Sequence, residues 1–285
     1  MKTLGIIVLL IVGALSCGCL AGPLAGLGRV RGSGHVVEET HDLRSFTGVE
    51  LATLGNLYIE VGDEESLRIE AEDNLVRYFE VDVRGKMLEI KTRSGVSLRP
   101  TKPVNFYLTV VELDTIEASG SGDIVAPDME SERISVTISG SGDVRVGDLE
   151  ADEVVIQITG SGDMDIAGIE TKDQEITITG SGDVEIGDLL ADTLDVKISA
   201  SGNVNIHKGR AEEQTITLGA SGDYEARRMR SDEANVHISG SGSTTIHVDE
   251  QLDIDIDGSG DVRYAGNPKV SLSVSGSGGV TRIGE

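Results

Sequence analysis

Apolar residues in this chain alternate with polar ones in short runs, and the runs recur. Val136 and Ile138, Ile156 and Ile158, Ile176 and Ile178, and Val196 and Ile198 are pairs separated by one residue, each leading into a motif such as Ser139–Asp143, "SGSGD". After the motif comes a second alternating pair: Val144 and Val146, Met164 and Ile166, Val184 and Ile186, Val204 and Ile206. A further apolar column, Met129, Leu149, Ile169, Leu189 and Met229, lies between the pairs. Alternation with period two predicts strands with one buried face.

The middle serine of the motif falls at 121, 141, 161, 181, 201, 221 and 241, then at 259 and 277. A period of 20 that shortens to 18 at the end predicts a solenoid. The expected fold class is all-β, a single-stranded parallel β-helix with about 20 residues per coil, right-handed by the chirality of parallel crossovers. Strands about 4.8 Å apart make nine rungs roughly 40 Å long. The parity of Ile156 and Ile158 continues through the motif to Met164, so Gly160 and Gly162 point inward and Thr159 and Ser161 outward. Glycine there is expected to give space in a narrow lumen and permissive dihedrals at a bend. Asp163 suits an Asx-type turn that satisfies corner N–H groups.

Upstream, residues 32–118 read as irregular coils of the same body, ahead of the regular coils of 119–285. Val49, Leu51, Gly55, Leu57 and Ile59 align onto the regular columns, and "RGSGHV" (31–36) reads as a first trace of the motif. Phe79 and Phe106 suggest a thicker end that covers the stack.

Residues 1–19 read as a signal: a short basic start, about a dozen apolar residues, then small ones. Residues 20–31 form a Gly-rich spacer. The apolar run falls short of the roughly 20 residues of a comfortable membrane span. Both cysteines, Cys17 and Cys19, lie at this junction, so the exported part has no disulfide framework. Either thiol is a candidate for lipidation; simple secretion and an uncleaved membrane anchor stay open, and all three place the chain outside the cytoplasm.

Three segments together resemble a known family, the putative auto-transporter adhesin, head GIN domain family. They are "GSGHVVEETHDLRSFTGVEL", "EESLRIEAEDNLVRYFEVDVRGKMLEIKT", and "LDTIEASGSGDI" with the rungs that follow it. The resemblance covers about residues 32–285. It implies a β-helical extracytoplasmic domain on lipoproteins or membrane-anchored surface proteins, and it brings no catalytic residues.

Composition narrows the chemistry. A net charge of −25 repels nucleic acid and anionic lipid, and 3% aromatics argues for a core of Val, Ile and Leu. A phosphate cradle needs glycines that open a helix, whereas every motif here leads into a strand. The column Asp123, Asp143, Asp163, Asp183 stacks like charges, which leaves weak Ca2+ binding as an alternative to turn geometry; no other cofactor is expected. Asn203, Ser243 and Gly279 interrupt that column. Carboxylate pairs such as Asp163 and Asp165 occur in many coils and single out no catalytic site. His35, His41, His207, His237 and His247 show no close metal-ligand spacing.

One place departs from the acidic surface. Lys208 and Arg210 stack beneath Arg227, Arg228 and Arg230, where other coils hold Gly147, Asp148 and Glu150. This basic corner is the candidate site for an anionic partner, a surface glycan or the acidic face of a protein. Charge compensation by Glu212, Glu213, Asp232 and Glu233 is the competing account. The expected function is a non-catalytic cell-surface module, structural or adhesive. A carbohydrate-binding or carbohydrate-active β-helix and an envelope regulatory module are the alternatives.

Overall fold

The computed structural model describes residues 28–284; the expected signal, Cys17 and Cys19 lie outside the described residues. Strands Val144–Ile158, Met164–Ile178 and Val184–Ile198 stack in parallel with partners 20 residues apart. The protein is thus an all-β, largely parallel solenoid whose coils match the sequence period. In the first of these coils the inward positions are Val144, Val146, Leu149, the partly buried Ala151, Val154, Ile156, Ile158 and Gly162. Along the strand, from 144 to 158, the spacing is two except from 146 to 149 and from 151 to 154. Those two three-residue steps are corners, which is why the Leu149 column stood apart in the sequence.

The motif forms a further corner, where Gly162 is buried as expected but Gly160 is only half-buried and faces the backbone of the coil below, so the reason for glycine differs from lumen space. A Cβ on Gly140 or Gly142 would lie 1.9 Å from the carbonyl oxygen of Gly120 or Gly122 in the coil below. On Gly160 and Gly162 it would lie 2.0 Å from the oxygens of Gly140 and Gly142. None of these motif glycines has a positive φ. Close approach of successive backbones, not unusual dihedrals, therefore selects glycine.

The aspartates also act differently from an Asx turn. The backbone N–H of Asp143 donates to Asp123 Oδ1 at 3.0 Å, that of Asp163 to Asp143 Oδ1 at 3.0 Å, and that of Asp183 to Asp163 Oδ1 at 2.9 Å. Each carboxylate serves the next coil rather than its own. Asn203 keeps the chain going: its N–H donates to Asp183 and its own Oδ1 accepts from Asp223 N–H at 2.9 Å. These backbone donors offset part of the stacked negative charge.

A column the sequence reading missed runs Ile134, Val154, Gln174, Leu194, Gln214, Ala234, Leu252, all buried. Two glutamines disguise it. Gln214 is held inside by the Tyr224 hydroxyl, which donates to its Oε1 at 3.1 Å, and by its own bond to Ser231 Oγ at 2.6 Å. Tyr224 is fully enclosed, and that burial pushes its phenol pKa well up. Ala226 and Ala234 stand where earlier coils carry Ile206 and Gln214, which offsets the ring's volume.

The upstream segment is only partly coil. Val49 and Leu51 pair beneath Ile116 and Ala118, and Leu57 beneath Ile124, as their columns predicted. Strands Met87–Thr92 and Asn105–Val110 then lie under Gly48–Ala52 and Asn56–Val61, so a later stretch of chain stacks beneath an earlier one. Gly28–Arg31, expected as the end of a spacer, is instead a strand paired in parallel with Val96–Arg99, and the other pairings at this end are antiparallel. Val36–Asp42 pairs with Ser66–Glu72, which pairs with Asn105–Val110, while Phe79–Arg84 forms a hairpin with Met87–Thr92. Gly85, at φ 64°, makes that two-residue turn possible. The three Phe residues close this end, with Phe79 and Phe106 edge to face at 5.2 Å.

"RGSGHV" is not a motif rung. Gly34 N–H, Thr101 N–H and the Thr101 hydroxyl all donate to the carboxylate of Glu72, which is fully enclosed. Burial pushes the Glu72 carboxyl up, but the bonds from Thr101, Gly34 and Lys102 outweigh it and hold the group below its usual value. The segment is a clasp on the antiparallel end.

Candidate functional site: a basic groove at a shortened coil

The coil period drops from 20 to 18 at a specific place. Ala226 pairs with Ile246, but the next partners are Arg230 and His247. Arg227, Arg228 and Met229 therefore have no register partners in the coil above. Omitting that corner leaves a step on the outside of the solenoid. The step is a groove of about 710 Å3, lined among others by His207, Arg227, Arg228, Arg230, His247 and Glu225.

The five residues of the predicted basic corner separate into two kinds. Lys208 pairs with Asp188 at 2.7 Å, outside the groove. Arg210 binds both oxygens of Asp232, at 2.7 and 2.8 Å. Arg230 lines the groove but clamps Asp249 through two bonds of 3.1 and 2.8 Å, and the Arg230 hydrogen bond holds the Asp249 carboxyl below its usual value. Arg227 donates only to the Gly284 carbonyl, at 3.4 Å. Arg227 and Arg228 make no ion pair among the described residues, and both are exposed in the groove. Of the compensating acids expected, Asp232 takes part; Asp188 and Asp249 do the rest.

Two histidines join the site that sequence reading left as isolated polar residues. His207 lies 2.6 Å from Glu185 and His247 lies 3.5 Å from Asp249, and both line the groove. The column expected to join them does not hold, since His247 pairs with Arg230 and Arg230 with Arg210; the shortened coil brings the two histidines to one step.

A separate cluster could hold a metal ion. His237, Asp255 and Asp257 place ligand atoms within 4.8 Å of one another. His237 and Asp255 are neighbours because the last coils step by 18, not 20. This cluster is distinct from the aspartate column, whose oxygens accept backbone bonds.

Fold and groove together define a largely parallel β-solenoid with a concave basic step on its outer face. Residues 45–208 and 169–268 each match the profile of the family described as putative auto-transporter adhesin, head GIN domain, and the chain belongs to that family. No curated protein matches it in sequence. Among solved structures it is similar to a putative adhesin of Parabacteroides distasonis, at 19% identity and a TM-score of 0.69, over 90% of this chain and 100% of the other. A putative adhesin of Parabacteroides merdae aligns at 22% identity and a TM-score of 0.65, over 90% and 99% of the two chains. A putative lipid binding protein of Parabacteroides distasonis aligns at 23% identity and 0.63, with the same coverage. At these identities the likeness is one of fold.

Proposed function

We propose that this chain is a non-catalytic, exported surface module that docks an anionic partner, a glycan or an acidic protein face, in the basic groove. The observation that carries it is a pair of exposed guanidinium groups, Arg227 and Arg228, with no ion pair among the described residues, in a concave step on a chain of net charge −25. Guanidinium forks suit carboxylate, sulfate and phosphate. Family membership and the adhesin names of similar structures support a surface role. The export signal and an anchor at the N-terminus, with Cys17 or Cys19 lipidated, fit the same reading. No helix among the described residues is long and apolar enough to cross a membrane. The solenoid is read as single-stranded and right-handed, which the crossover rule supports.

The test uses polygalacturonate and heparin as probes in isothermal titration. Binding is expected at low ionic strength and is expected to fade as salt shortens the screening length below about 8–10 Å. Arg227→Ser with Arg228→Ser should remove it and leave the melting temperature unchanged, since neither group is ion-paired among the described residues. Equal binding by that double variant would move the site elsewhere.

Weak divalent binding belongs to the same proposal and falls on His237, Asp255 and Asp257. Millimolar calcium is expected to raise the melting temperature only slightly, and His237→Ala should cancel that rise. A large rise that survives His237→Ala would return the cation to the aspartate column.

A further inference from the structure

Two of the five tyrosines stand on the outside of the barrel-like end, brought together by the out-of-order stacking. Tyr58 pairs with Tyr107 across parallel strands, and Arg68 pairs with Tyr107 across antiparallel ones. The two rings stack at 5.4 Å with planes 21° apart, and Tyr58 is 38% exposed. The Arg68 guanidinium lies 4.0 Å from the centre of the Tyr107 ring and is fixed by Glu38 at 3.1 Å. Two residues further along the same strands, Glu60, Thr109 and Ser66 form a parallel polar row. Between the rows runs a groove of about 380 Å3.

We infer that this groove binds a neutral oligosaccharide. With the Tyr107 ring held between Tyr58 and Arg68, the exposed surface of Tyr58 is the part that packs against the C–H face of a pyranose, while hydroxyls and carboxylates along the opposite row exchange hydrogen bonds with sugar hydroxyls; apolar walls with a few placed polar groups are the usual composition of small-ligand sites. Charge decides against other ring ligands. Glu38, Glu60 and Glu70 surround the rings, so a nucleotide phosphate or an acidic sugar meets repulsion. A quaternary ammonium is disfavoured because Arg68 already occupies the Tyr107 face. A merely structural stack would need no groove beside it and no exposed ring. The site lies on the same side of the solenoid as the basic groove, in the strand column that continues through Val125, Arg145, Asp165, Glu185 and Asn205, about 24 Å away at 4.8 Å per rung. It is independent of the proposal made for that groove.

Cellohexaose, maltohexaose, mannohexaose and chitohexaose serve as probes, with titration calorimetry and tyrosine fluorescence, which is readable because the chain has no Trp. At least one should bind saturably and with little dependence on salt. Tyr58→Ala should weaken it by roughly tenfold or more, about 1.4 kcal/mol, while Tyr58→Phe keeps most of the affinity and Arg227→Ser with Arg228→Ser keeps all of it. Circular dichroism melts confirm that each variant is folded. Absence of binding to all four probes overturns the inference, as does undiminished binding by a folded Tyr58→Ala. Loss of glycan binding in the Arg227/Arg228 variant alone would assign the sugar to the basic groove instead.

Discussion

Gly160→Ala is expected to lower the melting temperature by roughly 6–12 °C, taking about 2–4 °C per kcal/mol for a domain of this size. The new Cβ would stand 2.0 Å from the Gly140 carbonyl oxygen, so the two coils must part locally. Overpacking of this kind costs about 1–3 kcal/mol. The same oxygen accepts the Ser161 N–H at 2.9 Å, and weakening that bond adds about 0.5–1.5 kcal/mol. A total near 3 kcal/mol follows. Ser161→Val, one residue away and pointing to solvent, should change little. Thermal melts of the two variants decide the matter: a larger loss for the serine change would mean that the glycines are not the close-packed positions.

Asp143→Ala is expected to cost about 1–2 kcal/mol, the lower part of the range for a bond to a charged acceptor, because its site is half open to water. The N–H of Asp163 loses its acceptor. Asp143→Asn should be nearly neutral, since Asn203 already performs this task in the same column. The pair of variants separates two accounts of the aspartates. A backbone-acceptor role tolerates the amide; a calcium role does not, because the amide removes the charge that binds the ion. Chemical denaturation with and without chelator would show a large loss for Asp143→Asn, dependent on calcium, if the second account held.

Much of the regular half was legible because its contacts repeat at i, i+20. A residue's neighbours across the ladder are copies of itself, so the period, the inward columns, the burial of Gly162 and the half coil at Val49–Ile59 could all be read without coordinates. Where the copies differ, reading weakened. Gln174 and Gln214 hid an inward column, because a buried amide is stable only with partners such as Tyr224 and Ser231, which lie elsewhere in the chain. The basic corner was seen as a cluster of charge. Lys208 and Arg210 are neutralised by Asp188 and Asp232 across regular coils, but the pairing of Arg230 with Asp249 and the step that holds Arg227 and Arg228 depended on the register slip between Ala226 and Arg230.

The sequence by itself determined the repeating coil, its strands and its lining, because a local hydrophobic pattern and a constant period leave one economical way to bury Val, Ile and Leu. Only the tertiary structure decided what joins unlike segments. It placed residues 87–110 beneath 48–61, set Val36–Asp42 antiparallel to Ser66–Glu72 at one end, and stacked Tyr58 on Tyr107 from 49 residues away. It also showed that each aspartate reaches the coil after its own. These pairings are set by backbone hydrogen bonds between distant strands, and a backbone donor or acceptor carries no side-chain signature from which its partner can be read.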